Sequence, residues 1–383
     1  MTIGIDCRLY SPKYTGIGRY VFELIKNLMN LDQTNHYILY FNSEEYDDFV
    51  CPNERWEKRL VTIPHYSLAE QTKFLKVLNR EQIDLMYFPH FNAPIRYKKP
   101  FVVTIHDLTL HHYPNKSYHP RWSAKKSLQI AVYRFIMGRV LKHARKIIAV
   151  SDNTRQDLIR EYLIPEEKIV KILEGVPESF QQASEEQLDR VRNTYAITKP
   201  YLLYTGVWRS HKNLLNLIQA FHQLLKRGHD IQLVLTGKKD PSYPEIPKLI
   251  EDLDLKNEVI LTGFVSEEDL IALNSGARVF VFPSLYEGFG LPPLEAMQLG
   301  VPVACSKNSS LPEVCGDAAL YFDPHQKDDM VRQIELLLID EALRDEMIRR
   351  GHENLKRFSW KTMSSGILDI FNSFRNNTNL KKI

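Results

Sequence analysis

The sequence predicts an α/β fold made of two doubly wound domains, and three observations carry that prediction. The chain has 383 residues, more than one ordinary core holds, and a domain of about 150 residues is the usual unit. Short apolar runs alternate with amphipathic segments from one end to the other, the rhythm of strand–helix–strand units. The strands, such as "FVVTI" and "RVFVF", are continuously apolar, as they are in parallel sheets covered by helices on both faces.

Taken in order, the first half predicts strands at "IGIDCRL", "HYILYFN", "IDLMYFP", "FVVTIHD", "KIIAVS" and "VKILEGV". Helical patterns fall between them, notably over 18–31 and 121–143. The second half predicts strands at "YLLYTG", "IQLVLTG", "EVILTGF", "RVFVFPS" and "VPVACS", with helices over 214–226, 268–274 and 326–338. The polar stretch 177–200 reads as a linker between a first domain, 1–178, and a second, 195–359. The amphipathic end, 360–383, follows no further strand and is expected to pack as a helix back on the first domain.

Bulk properties narrow the function. Hydrophobic content of 44% and charged content of 25% are those of a soluble globular protein. A formal charge of +3 gives no reason to expect a nucleic-acid partner. Cys7, Cys51, Cys305 and Cys315 are scattered without a CxxC pair, which suits reduced thiols rather than a disulfide framework or zinc site. The opening "MTIGIDCRL" reads as a strand rather than a leader, and no apolar run approaches the ~20 residues of a membrane helix. The expected location is cytoplasmic.

In open α/β sheets ligands bind beyond the carboxyl ends of the strands, so residues just after strands matter most. The stretch "YEGFGLPPLEAMQLGVPVACS", 286–306, follows a strand. Pro292 and Pro293 suit the first turn of a helix, and the amides of Phe289, Gly290 and Leu291 are placed to hold an anion such as a diphosphate. Glu287, just before Gly288, and Glu295, one turn into the helix, would repel phosphate but match sugar hydroxyls, which donate hydrogen bonds. One ligand satisfies both demands: a diphosphate with a sugar on each side, which is a nucleotide sugar. The plain alternative is a helix-capping acid and a solvated glutamate.

Three further clusters lie after strands. "YTGVWRSHKNLLNLI", 204–218, places Arg209 and Lys212 before a helix capped near Asn213, where two cations would neutralise a departing diphosphate; a solvated basic loop is the alternative. "TIHDLTLHH", 104–112, sets His106 at a strand end, able to exchange a hydrogen bond with a sugar hydroxyl. Its spacing with His111 and His112 fits no usual zinc pattern, so no metal is expected. "YTGIGRYVFELIKNL", 14–28, offers Gly16 and Gly18 as a turn into a helix, but only part of a GxGxxG, and no acid ends the second strand as a nicotinamide cofactor needs. Asp252 and Asp254 in "EDLDLKN" read as a solvated helix end rather than a metal-holding pair.

These stretches together resemble the retaining glycosyltransferases of family 4, which have the GT-B fold of two Rossmann-like domains facing each other across a deep cleft. The similarity rests on "TGIGRY", "TIHDL", "AVSDNTRQDL", "YTGVWRSHKNL", "LTGFVSEEDL" and, most specifically, the paired glutamates of "YEGFGLPPLEAMQLGVPVACSKNSSLPEVCGDAALYFDP". The resemblance implies that Glu287 contacts the donor sugar and Glu295 the ribose, and that the amides at 289–291 serve phosphate or sugar. It further implies that Arg209 and Lys212 hold the diphosphate, that His106 lies near the donor sugar, and that Gly16 lines the cleft on the donor side. It implies same-face attack, with the leaving diphosphate helping to take the acceptor proton, and neither metal nor cofactor beyond the nucleotide-sugar substrate.

Two departures stand out. Many members have Arg-Lys-Asn where this chain has His211-Lys212-Asn213, and an Asn where it has Glu174, a change expected to touch only the linker. The opening segment and "YSLAEQ", 66–71, look most like bacterial mannosyltransferases of surface polysaccharides, so GDP-mannose is the favoured donor and a saccharide or lipid-linked saccharide the acceptor. UDP-glucose or a UDP-N-acetylhexosamine is the next choice, and a non-catalytic nucleotide-sugar-binding module, an epimerase or a phosphorylase are the competing classes. From Leu108 to Ser151 the chain carries no acid and many Lys and Arg; the basic segment 116–146, with Trp122 and Tyr133, is a candidate for docking on an anionic inner-membrane surface.

Overall fold

The computed structural model describes residues 1–11, 16–114, 124–177, 180–237, 240 and 243–379. The chain divides into two compact units. The first comprises Met1–Leu108, Ser123–Gly175 and Ser359–Ile383; the second comprises Thr109–Trp122 and Val176–Phe358.

The first unit is built on seven parallel strands: β1 (Thr2–Asp6), β2 (His36–Phe41), β3 (Trp56–Leu60), β4 (Leu85–Phe88), β5 (Phe101–Ile105), β6 (Lys146–Ala149) and β7 (Ile169–Lys171). Their order is β3-β2-β1-β4-β5-β6-β7, so the winding reverses between β1 and β4, the place where such sheets open a crevice. The apolar strands form as expected because both faces are covered. Ile3 and Ile5 of β1 pack with Leu24 and Leu28 of the helix Ile17–Leu31 and with Trp360, Met363, Ile367 and Phe371 of the helix Trp360–Asn379.

The second unit has six parallel strands: β8 (Tyr201–Thr205), β9 (Gln232–Thr236), β10 (Val259–Gly263), β11 (Val279–Phe282), β12 (Val303–Ser306) and β13 (Ala319–Phe322). The order β10-β9-β8-β11-β12-β13 reverses between β8 and β11. The loops leaving those two neighbouring strands are the ones that the sequence marked.

Three local differences have simple causes. β3, "WEKRL", escaped the sequence reading because it is an edge strand with charged, partly exposed residues. The strand expected over "VKILEGV" is short, ending at Lys171. Residues 185–194, inside the expected linker, form a helix of the second unit: Ser184 accepts from the Gln187 amide and Gln187 answers to the Ser184 amide, a complete capping box.

Candidate active site

In the second unit, β8 ends at Thr205 and the chain turns at Gly206. Gly206 and Gly237, which ends β9, both have positive φ, and a Cβ on Gly237 would overlap the Gly206 backbone. Only glycine lets these two turns pass each other. Arg209 then stands exposed, without an ion-pair partner among the described residues, immediately before the short 3₁₀ turn Ser210–Lys212. His211 is buried; burial first, then Lys212 and Arg209, push its imidazole down to about 2, so it stays neutral. Its carbonyl accepts from the Leu285 amide at 2.7 Å, tying this turn to the loop after β11.

Asn213 occupies the left-handed region, φ 61°, which Asn tolerates better than most residues. It stands at the N-cap position of the helix Leu214–Lys226, but its side chain makes no capping bond, contrary to the expected role. It donates instead to the carbonyls of Pro283 (3.1 Å) and Pro324 (2.9 Å). Its work is to clamp the ends of three strand–helix connections together.

The loop after β11 carries Glu287. Its carboxylate lies 2.6 Å from the Lys212 ammonium, each side chain only 13% exposed. The Glu287 amide donates to Ser309 Oγ (2.9 Å), and the Ser310 hydroxyl donates to the carbonyls of Phe289 (2.6 Å) and Glu287 (3.1 Å). Two serines from the loop after β12 therefore hold the Glu287–Gly290 turn from behind. Ser310 stands at the N-cap of the helix Leu311–Cys315 but makes no side-chain capping bond; its hydroxyl serves the neighbouring loop instead. Gly290, φ 111°, starts the helix Leu291–Gln298, with prolines in its first turn. No acceptor for the amides of Phe289, Gly290 or Leu291 is present among the described residues. The buried hydroxyls of Thr205 and Ser284, at the ends of adjacent strands, also lack partners there.

Glu295 lies in the same helix and is only 4% exposed. Neither glutamate is the solvated surface acid that the plain alternative required. The unit thus gathers Arg209, Lys212, Glu287, Gly288, Phe289, Gly290, Leu291 and Glu295 on the turns at one switch point and the helix that follows. It offers cations and free amides for an anion beside buried acids for hydroxyl groups.

His106 and Gly16 belong to the first unit. Gly16 has φ 74° and precedes the helix Ile17–Leu31, with nothing near the position of a Cβ; its conformation alone requires glycine. His106 lies just after β5. Its Nε2 lies 2.9 Å from the Pro89 carbonyl and its Nδ1 2.9 Å from Glu174 Oε1. One expectation is corrected by this contact. Glu174, expected to matter only to the linker, is buried against the candidate histidine. The neighbouring Gly175 is equally constrained, since a Cβ there would overlap the backbone of Trp360.

A second polar cluster of this unit went unread. Arg8, 1% exposed, donates to Asp6 Oδ1 (2.8 Å) and Oδ2 (2.7 Å) and to Glu70 Oε1 (2.7 Å). Asn92 donates to the same Glu70 oxygen at 2.8 Å. Burial alone would raise the Asp6 carboxyl, but Arg8 outweighs it and holds it below its ordinary value. Asp6, Arg8 and Glu70 come from the two stretches that suggested a mannosyltransferase, "GIDCRLYSP" and "YSLAEQ", and Asn92 from a third; in space they are one network.

The basic segment is partly outside the described residues, which exclude Lys116, Arg121 and Trp122 and say nothing of the side chains of Lys125 and Lys126. In the helix Ala124–His143, Met137, Val140 and Leu141 are buried, while Leu128, Val132 and Phe135 are exposed along with Arg134, Arg139 and Lys142. Tyr133, expected among surface aromatics, instead packs edge-on to Phe91 at 5.1 Å. No helix among the described residues is long and apolar enough to cross a membrane.

Comparison with known proteins bears on family and fold. The family description "Glycosyltransferase Family 4" matches residues 14–180, and "Glycosyl transferases group 1" matches residues 186–354. O-antigen chain mannosyltransferase B of Escherichia coli is 30% identical over 377 residues, covering 93% of this chain and 96% of that protein. Sucrose-phosphate synthase from Thermosynechococcus elongatus superposes with a TM-score of 0.78 at 19% identity, over 98% of this chain and 99% of that one. Anabaena HepE in complex with UDP-glucose gives 0.75 at 17% identity, over 97% and 100%. The structural likenesses show the fold, GT-B.

Proposed function

Since the chain belongs to the family 4 glycosyltransferases, we propose that it is a retaining, metal-independent mannosyltransferase that uses GDP-mannose to extend a saccharide or lipid-linked saccharide during surface polysaccharide assembly. The observation that carries the reading is the switch point of the second unit, where Lys212 and Glu287 face each other at 2.6 Å beside the unpartnered amides of residues 289–291. In the donor complex Lys212 exchanges its carboxylate for the diphosphate, with Arg209 alongside, and Glu287 is released to accept from the hydroxyls of the donor sugar. Glu295 accepts from the ribose. The choice of mannose is supported by the 30% identity to a mannosyltransferase along nearly its whole length.

In the transfer step the acceptor oxygen bonds to the anomeric carbon as the bond from that carbon to the diphosphate breaks. The acceptor's proton passes to the leaving diphosphate, whose charge Arg209 and Lys212 offset. Two cations acting on the diphosphate make a divalent ion unnecessary, and the reaction needs no cofactor beyond the nucleotide sugar. The protein works in the cytoplasm, peripherally on the inner membrane face. Exposed Leu128, Val132 and Phe135 beside Arg134, Arg139 and Lys142 suit shallow insertion among anionic headgroups. Co-sedimentation with anionic but not neutral liposomes, weakened by salt, is the expected result; indifference to anionic liposomes at low salt removes the membrane part of the reading.

The test of the donor is thermal stabilisation by GDP, GDP-mannose, UDP, UDP-glucose and UDP-N-acetylglucosamine, each with and without EDTA. A ligand at about 100 times its dissociation constant adds about 2.7 kcal/mol, a readable shift. A GDP-selective response unaffected by EDTA is expected. A UDP-selective one replaces the donor, a response abolished by EDTA removes metal independence, and no response to any of them overturns the nucleotide-sugar reading.

A further inference from the structure

The second unit carries a groove at the edge of its sheet opposite the active-site turns. β8 and β11 are parallel neighbours; the groove lies where they begin, whereas Gly206 and Glu287 follow their ends. It measures about 590 Å³ and is lined by Arg192, Lys199, Tyr201, Arg278 and Arg344, among others. That is the size of a small-ligand pocket. Among the described residues no carboxylate, imidazole or thiol lines it. The Tyr201 hydroxyl is spent on the Leu273 carbonyl at 2.7 Å, and the Arg278 amide donates to the Tyr201 carbonyl at 2.9 Å, which fixes Arg278 at the mouth of β11.

The four cations are poorly neutralised. Lys199 pairs with Asp230 (2.7 Å) and Arg192 with Asp189 (3.2 Å), both largely exposed acids, and such pairs contribute little. Arg278 is 3.7 Å from Glu341, which is 80% exposed. Arg344 has no ion pair among the described residues, and its Nε is buried without a hydrogen-bond partner there. Burial first, and then Arg278, hold its guanidinium below its ordinary value against Asp345 and Glu341. The group stays charged all the same, so two like charges stand together. Arg344 is also the fourth residue of the helix Glu341–Leu355, near the end where the helix dipole favours an anion over a cation.

We propose that this groove is a second anion site, in which Arg278 and Arg344 hold the phosphate group of a small soluble ligand, either inorganic phosphate or a phosphate monoester. A phosphate supplies the acceptor that Arg344 Nε lacks, and its oxygens match the planar fork of each guanidinium. It also offsets the repulsion between the two arginines, with Lys199 and Arg192 adding to the attraction. The lining has no group to take up a proton or attack a bond, so the ligand is held unchanged, as an effector rather than a substrate. The inference does not depend on the proposed function, because the groove and the donor turns lie at opposite ends of the same strands.

The test labels the arginines of the full-length wild-type protein with phenylglyoxal in phosphate-free buffer and reads each one by peptide mass mapping. Inorganic phosphate at about twice its dissociation constant should slow labelling of Arg278 and Arg344 about threefold. Exposed Arg349, paired with Glu346, should label at an unchanged rate. Arg209 is read in the same map, so phosphate held at the donor turns is seen separately. Protection by ribose 5-phosphate but not by inorganic phosphate assigns a monoester; protection by both assigns the phosphate group itself. In calorimetry, Arg278→Gln/Arg344→Gln should bind the protecting anion about tenfold more weakly than wild type, or worse, while Lys212→Ala keeps the groove's affinity. Labelling of Arg278 and Arg344 that neither anion slows at millimolar concentration overturns the proposal. So does equal slowing by sodium chloride of the same ionic strength, which means general screening. Should Arg344 label too slowly to follow, Arg278 and the calorimetric comparison decide; should the double variant fail to fold, the wild-type map decides.

Discussion

The two sheets end in opposite ways at their switch points. Beyond β1 and β4, the first unit pairs its charges with each other: Arg8 lies between Asp6 and Glu70, and Asn92 closes the set. Beyond β8 and β11, the second unit leaves groups open. Arg209 is exposed, three consecutive amides lack acceptors among the described residues, and the tight ion pair Lys212–Glu287 retains some contact with solvent. A saturated network fixes a shape, whereas an unsaturated one is prepared for a ligand. The contrast predicts that mutations at the first edge read out mainly as stability and those at the second mainly as turnover.

The largest effect should come from breaking the first edge. Arg8→Ala leaves two buried carboxylates facing each other without their cation, and removing one partner of a buried ion network typically costs about 3–5 kcal/mol. Urea denaturation should show a loss of that order, and a loss below about 1 kcal/mol would mean that the network is not what holds this edge. At the second edge the balance should invert. Lys212→Ala should lower kcat by about 10²–10³, equivalent to about 2.7–4 kcal/mol of transition-state stabilisation. Its melting temperature should move little, since Glu287 can turn to water. A variant equally impaired in stability and turnover would erase the distinction between the edges.

The same contrast explains what was legible in the sequence. The second edge is local: each turn is a run of adjacent residues, 206–213 or 283–291, with its glycines, prolines and charges in a recognisable order. The first edge is assembled from residues 62 positions apart, Arg8 and Glu70, and 68 apart, His106 and Glu174. No spacing within a motif announces such a pair. Glu174 was legible only as a departure from a resemblance, and what it touches could not be read without knowing that β7 lies two strands from β5 and beside β6. Continuous apolar strands were easy to find for the converse reason: burial on both faces writes itself into four or five consecutive residues. Edge strand β3, half exposed and charged, leaves no such record.

A smaller effect tests the packing beside Glu174. Gly175→Ala would drive a methyl group into the Trp360 backbone, and overpacking of this kind costs about 1–3 kcal/mol. Thermal melting should fall accordingly, and a Gly175→Ala variant that melts with wild type would show that the Trp360 backbone yields to the methyl group.

The smallest effect is the most specific to the second edge. His211 is buried next to Lys212 and Arg209, and its folded-state value of about 2 lies far below the ~6.5 of an unfolded histidine. Above pH ~6.5 the ring is neutral in both states and contributes no pH dependence. Below it the unfolded chain gains a proton that the folded chain refuses, so stability must fall with acidification, by at most about 1.4 kcal/mol per pH unit from this one group. His211→Phe removes the titration, and its stability profile should become flatter than that of wild type between pH 6.5 and pH 4.5. Parallel profiles would mean that the ring takes up its proton in the folded state. In that case a third cation would stand beside Arg209 and Lys212, and the neutral separation of the two side chains proposed to bind the diphosphate would be lost. Because the resemblance leads one to expect an arginine where this chain has His211, the comparison also asks whether this edge works with two cations or with three, and the flatter profile of His211→Phe is the outcome that requires two.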